Sequence, residues 1–315
     1  MPKPWNGPRT LAIATLKGGV GKSTTTMMLA DTLATHHGLQ ILIVDLDPQA
    51  NASQMILSFA GLKRAKSAGK TLATWVQALA KQEREDFFEA ITPDVCGIEE
   101  VRAHRSFGWN SNRERGDTAI VAATPELRFA EMEYDQRRFE PSNPSASRHA
   151  MTSSLRKGIA SLGRAYDLVI FDCPPGFTTL AQSAIAMADA IISPMFEDPV
   201  TLWSLVSFRE FGLKQTLNVW DRERHRVLFT RVVASGAKDQ RAKVRDDTRA
   251  EFSILPVHIR NLSQAVSWSQ RPDPSSHDRF ASKYGSGRHE VVELGNHVVS
   301  FIAALPNRQS GGSDA

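Results

Sequence analysis

Leu16-Lys17-Gly18-Gly19-Val20-Gly21-Lys22-Ser23 lies between an apolar run, Leu11-Ala-Ile-Ala-Thr15, and a helix-compatible segment from about Ser23 to His36. Strand, glycine-rich turn and helix in that order let backbone N–H groups converge on an anion, with the positive end of the helix behind them. Lys22 is spaced to reach the β- and γ-phosphates of a nucleotide, and the Ser23 hydroxyl is a ligand type for Mg²⁺. Gly18, Gly19, Val20, Gly21 and Thr24 complete the candidate cradle. The usual form of such a loop has glycine where this chain has Leu16, and Lys17 is an additional cation. The bland alternative is a glycine-rich turn with an incidental lysine. The agreement of strand, loop and helix argues against it.

Outward from the loop, short apolar runs alternate with helical segments. Ile41–Val44, Ala119–Ala122, Leu168–Phe171, Ala190–Ser193 and Arg226–Val232 read as strands. Thr71–Lys81, Arg148–Arg164, Leu180–Ala188 and Thr201–Leu217 read as helices between them, and Ser147 is placed to cap the second of these. Continuous Val/Ile/Leu strands separated by helices predict a doubly wound α/β fold, a mostly parallel sheet with helices on both faces. A single domain is expected over 1–305, with an elaboration of the sheet edge at about 61–117 that includes an exposed loop at 108–116. Residues 306–315 are expected to form a flexible tail.

Of 315 residues, 41% are hydrophobic and 23% charged, which excludes a fibrous or wholly disordered chain. Thirty-eight Lys and Arg against thirty-four Asp and Glu give +4, a surplus that permits a local basic face without demonstrating one. Two cysteines, Cys96 and Cys173, are too few for a disulfide framework or a Cys-rich zinc module, and a reducing cytosol is the default. No stretch has the length or apolarity of a membrane span or signal segment.

Two more segments carry acidic residues at the ends of apolar strands. Val44-Asp-Leu-Asp-Pro-Gln-Ala-Asn51 follows the second strand, and Asp172-Cys-Pro-Pro-Gly176 follows Leu168–Phe171. Carboxylates at strand C-termini lie where open α/β sheets bind ligands. A lone Asp after a strand is more often a turn or cap residue. Three such sites in the right order favour function for Asp47 and Asp172, whereas for Asp45 both readings stay open.

The loop with lysine at its second position resembles the deviant Walker A motif of the ParA/MinD family of ATPases. Its companions resemble that family's switch I and its Walker B with switch II, and the wording is closest to ParA partition ATPases. The resemblance implies an ATPase using ATP and Mg²⁺, a homodimer when ATP is bound, and Lys17 reaching across to the partner's nucleotide. It implies that Asp172 holds Mg²⁺ with Ser23, that Asp45 supports the metal shell, and that Asp47 orients the attacking water. Asn261, in Leu255-Pro-Val-His-Ile-Arg-Asn261, resembles a contact near the adenine. The expected partners are a ParB-like or other adaptor and non-specific DNA, with no membrane, so the expected location is cytoplasmic and nucleoid-associated. Only about ten residues precede the first strand, so the short form without an N-terminal DNA-binding domain is expected.

Residues 201–260 hold twelve Lys or Arg against seven Asp or Glu. Lys238, Arg241, Arg245 and Arg249 are spaced three, four and four apart, which puts all four on one helix face. This stripe is either a solvated helix face or a DNA-binding surface, with Arg231 and Arg260 as lesser candidates. A nucleotide-switched carrier or regulator acting on a protein client, with no DNA involved, is the alternative function.

Overall fold

The strand alternation is what divides the molecule into layers. In the first strand, β1 (Arg9–Ile13), Leu11 and Ile13 point into one core and Ala12 into another, with every residue buried. The computed structural model describes residues 4–5, 7–83, 86–96, 116–232, 238–260 and 279–306.

In chain order the other main elements begin with α1 (Lys22–His37), β2 (Gln40–Asp45), α2 (Asn51–Ser67), α3 (Leu72–Lys81), β3 (Ile91–Thr92) and β4 (Asp117–Val121). There follow α4 (Leu127–Arg138), α5 (Ala146–Ser161), β5 (Leu168–Asp172), α6 (Thr179–Met187), β6 (Ala190–Met195) and α7 (Pro199–Ser207). The described chain closes with β7 (His225–Val232), α8 (Lys238–Glu251), β8 (Ile254–Arg260), α9 (Phe280–Tyr284) and α10 (Arg288–Ala304). The strands form one eight-stranded sheet in the order β3-β4-β2-β5-β1-β6-β7-β8. All pairings are parallel except β3 with β4, so β3 is an antiparallel edge.

One core packs α1, α9 and α10 against Leu11, Ile13, Ile41 and Ile170. The opposite core packs α3 to α7 against Ala12, Leu42, Val44 and Phe171. Each fully buried Leu, Ile or Val in these layers contributes roughly 1.5–3 kcal/mol of transfer free energy. The sheet is therefore the doubly wound, mostly parallel one expected. Among the described residues, no helix is long and apolar enough to cross a membrane.

Two readings are corrected, and one strand is added to those expected. Ser147 does not cap α5: the helix begins at Ala146 and its preceding residue is Ser145, whose hydroxyl bonds the Asn143 side chain at 3.0 Å. The predicted helix 201–217 is α-helical only to Ser207 and continues as a π-helix over Phe208–Thr216. That widened turn takes in the Phe177 ring, and a Cβ on Gly212 would lie 1.9 Å from its Cζ. The run 254–260 is a strand despite Pro256, because β8 is an edge strand where a missing N–H is tolerated. The exposed loop expected at 108–116 lies, except for Gly116, outside the described residues, as do 307–315 of the expected tail.

Candidate functional site

Helix α1 starts at Lys22, and the turn before it depends on Gly19 and Gly21, at φ +76° and +95°. Only glycine adopts such angles without strain, so the loop backbone turns back on itself and exposes its amides. The loop opens into a cleft of about 500 Å³ at the C-terminal edge of the sheet, lined among others by Gly18, Gly19, Gly21, Lys22, Ser23 and Thr24. Asp47 from the end of β2, Pro175 after β5 and Arg231 from β7 complete three of its walls.

Lys22 is almost fully buried, and its ammonium donates to the Lys17 carbonyl at 3.0 Å. Burial lowers its pKa, while the neighbouring Asp172 carboxylate opposes that shift. Lys17 is different. Its side chain is exposed, and among the described residues its ammonium makes no hydrogen bond or ion pair. One lysine is thus folded into its own loop and the other projects from it.

Asp172 is fully buried at the end of β5, beside Asp45 on the paired strand β2. Its Oδ1 accepts from the Thr26 hydroxyl at 3.2 Å, the nearby Ser23 side chain works to lower its pKa, and Oδ2 has no partner. An orphaned buried carboxylate oxygen next to the loop serine suits a cation held partly by phosphate and water, as Mg²⁺ usually is. No group of three His, Cys, Asp or Glu able to hold a metal occurs among the described residues, so a fully protein-built cage is absent there.

Burial first, and then the charge of Asp45, push the Asp172 pKa well above the usual carboxylate range. A raised folded-state pKa contributes stability below about pH 4 that is lost as pH rises through the folded value. The nucleotide- and Mg-free protein is therefore expected to melt lower at pH 8 than at pH 5. Asp172→Asn should raise its stability at pH 8 by on the order of 1 kcal/mol and flatten that slope. The same change should abolish stabilisation by Mg-nucleotide. Thermal melts at both pH values, with and without EDTA, check both halves; an unchanged pH slope in Asp172→Asn would refute the assignment.

Asp45, expected to support the metal shell, is fully buried and hydrogen-bonded through both oxygens. Its Oδ1 accepts the Asp47 amide at 3.1 Å, and its Oδ2 accepts both the amide (2.9 Å) and hydroxyl (2.7 Å) of Ser53. Both oxygens are committed to holding the Asp47 segment and the start of α2. Asp45 thereby holds the segment that carries Asp47 to the cleft. Asp47 itself lines the cleft, with Oδ1 accepting the Gln49 amide at 2.9 Å and no hydrogen bond to Oδ2 among the described residues. Ala50, where a glycine would be at ease, sits at φ +55° and is fully buried.

The remaining expectations divide. Val20 turns its side chain into the core, and its carbonyl accepts from the Thr230 hydroxyl at 2.8 Å. Asn261 lies outside the described residues, as does the side chain of Lys238. Arg241, Arg245 and Arg249 do share α8, but Arg245 is ion-paired with the buried Glu197, and Arg249 pairs with Asp246 at 3.3 Å. Cys96 and Cys173 are both buried and outside any disulfide, and burial pushes the Cys173 thiol up, which fits an inert core residue. Gln49, Asn51, Gln54, Met55 and Pro175 line the cleft without having been singled out individually. Only their position after the acidic strand ends could have pointed to them.

The AAA_31 family, described as an AAA domain, matches residues 8–211. Chromosome partitioning protein ParA of Myxococcus xanthus is 30% identical over 190 residues, covering 59% of this chain and 52% of that protein. Sporulation initiation inhibitor protein Soj of Bacillus subtilis is 27% identical over 187 residues, covering 59% and 58%. The matched stretch thus spans little more than half the length of these relatives. Among solved structures, apo McdA of Cyanothece superposes with a TM-score of 0.63 at 17% identity, covering 92% of this chain and 99% of that one. A putative plasmid partition protein of Borrelia burgdorferi B31, bound to AMPPNP, gives 0.60 at 18%, covering 93% and 98%. Cobyrinic acid a,c-diamide synthase of Mycobacterium smegmatis, with an ATP analogue and magnesium, also gives 0.60 at 18%, covering 95% and 99%. At such identities these structures establish the shared fold.

Proposed function

The chain belongs to the AAA_31 family, with ParA and Soj partitioning proteins among its relatives, and from that premise we propose that it is a Mg-ATP-dependent, dimerising ATPase that positions a cargo. The observation that carries this reading is the convergence of Lys22, Ser23 and Asp172. A buried cation, a hydroxyl and a carboxylate with one free oxygen meet at the mouth of a loop of backbone amides. Phosphoryl transfer needs this set: donors and a cation on the β/γ-phosphates, and Mg²⁺ between phosphate and protein oxygen. The magnesium, held by Ser23 and Asp172, would neutralise charge developing on the γ-phosphoryl. Asp47 then orients water from the β2 side.

The exposed Lys17 supports pairing of two subunits, because a projecting cation finds its counter-charge on another chain's nucleotide. ATP closes the dimer, and hydrolysis, weak alone and stimulated by a ParB-like or other adaptor, opens it. The dimer binds DNA without sequence preference through α8, acting at the nucleoid in the cytoplasm. The strongly exposed Trp203 (79%) and Phe129 (68%) are suited to contacts with an adaptor.

The ion pairs at Arg245 and Arg249 favour a second reading, a carrier or regulator with a protein client and no DNA. Retention on non-specific duplex DNA separates the two. If about four phosphates are contacted, ATP-dependent affinity should fall roughly fifty-fold between about 50 and about 150 mM salt. Arg241→Glu and Arg249→Glu should lessen that dependence. Absence of ATP-dependent retention even at the lower salt would leave the second reading.

A further inference from the structure

We propose that Arg231 is a nucleotide-contacting residue whose guanidinium stacks on the base in the cleft, an assignment that rests on the ATP-site reading and extends it. Arg231 lines the same cleft as Gly18 to Thr24. It sits at φ +52°, a left-handed conformation that L-residues other than Asn and Asp rarely adopt. The pairing of β7 with β8 shifts register between Thr230 and Val232, so the strand is bent at this residue. The bend is held from beneath: the Thr230 hydroxyl bonds the carbonyl of Val20 in the phosphate loop at 2.8 Å and that of Met195 at 3.3 Å. Residues kept in such conformations by their surroundings concentrate at ligand clamps.

The side chain is exposed and has no carboxylate partner among the described residues. Its Cζ lies over the Phe196 ring, 5.1 Å from the centroid. The side chain lines the cleft, and a planar, weakly hydrated guanidinium stacks on aromatic rings as a lysine ammonium does not. Sheet order says which end of a nucleotide it meets. Asp47 and Asp172 come from β2 and β5 on one side of β1, whereas Arg231 comes from β7 on the other. The first side holds the hydrolytic groups, so Arg231 stands at the base end. Phosphate charge is already met by Lys22 and the loop amides.

Calorimetric titration of the full chain with ADP and with inorganic tripolyphosphate tests this assignment. Arg231→Gly suits the left-handed backbone, so it should keep the fold and its melting temperature. It should weaken ADP about tenfold and leave tripolyphosphate unchanged. Arg231→Lys should lose the same factor, because charge without a plane does not stack. Unchanged ADP affinity, a parallel loss for tripolyphosphate, or full retention in Arg231→Lys would overturn the assignment alone. Wild-type protein that binds neither ligand would overturn it together with the ATP-site reading.

Discussion

Asp47→Asn is expected to cut steady-state ATP turnover by roughly a hundredfold while leaving ATP affinity within a few-fold of wild type, because removing a base or water-orienting group forfeits typically 10²–10⁴ in rate. The reason is in the local bonds. Asp47 Oδ1 accepts the Gln49 amide, a role that an asparagine carbonyl can keep, while Oδ2 makes no hydrogen bond among the described residues. Asp45 continues to hold the residue-47 amide and Ser53, so the start of α2 is preserved. What disappears is the second carboxylate oxygen, the one left to orient water. ATP-bound dimers should therefore accumulate and stay on DNA. Phosphate release and DNA retention measured on the same preparation check the split. Equal losses of binding and turnover would assign Asp47 to nucleotide binding.

Lys17→Gln is expected to have its largest effect on association. The Lys17 carbonyl, which holds Lys22, belongs to the backbone and is untouched. The exposed ammonium has no partner to lose within the described chain. Binding of ATP by the single subunit should accordingly change little. In a symmetric pair each subunit would lose one charge-assisted contact, and losing such a contact costs about 2 kcal/mol or more. Two contacts then raise the dimer dissociation constant by roughly a thousandfold.

Much of the fold is legible in the sequence alone. The run Leu11–Ser23 predicted β1, the loop and α1 because glycine spacing and helix onset obey local rules; the strand itself is Arg9–Ile13. Asp172 could be found because an apolar strand ended in a carboxylate. Less was visible where tertiary partners decide. Asp45 and Asp47 stand two residues apart with similar neighbours, and only Ser53, eight residues on, shows that the first is consumed internally. Arg241, Arg245 and Arg249 lie on one helix, but Glu197, which pairs with Arg245, comes from another part of the chain. The π-helical turn over 208–216 packs Gly212 against Phe177, a contact without a local signal. In β8, Leu255, Val257 and Ile259 alternate as buried residues around the exposed Pro256.

Sedimentation velocity of Asp47→Asn beside Asp47→Asn/Lys17→Gln, both saturated with Mg-ATP, isolates the role of the projecting lysine, since both proteins consume their ligand far more slowly than wild type. The first should run as a dimer and the second, at the same concentration and with ATP still bound, as a monomer. Two dimers of equal stability would contradict the claim that Lys17 joins the subunits.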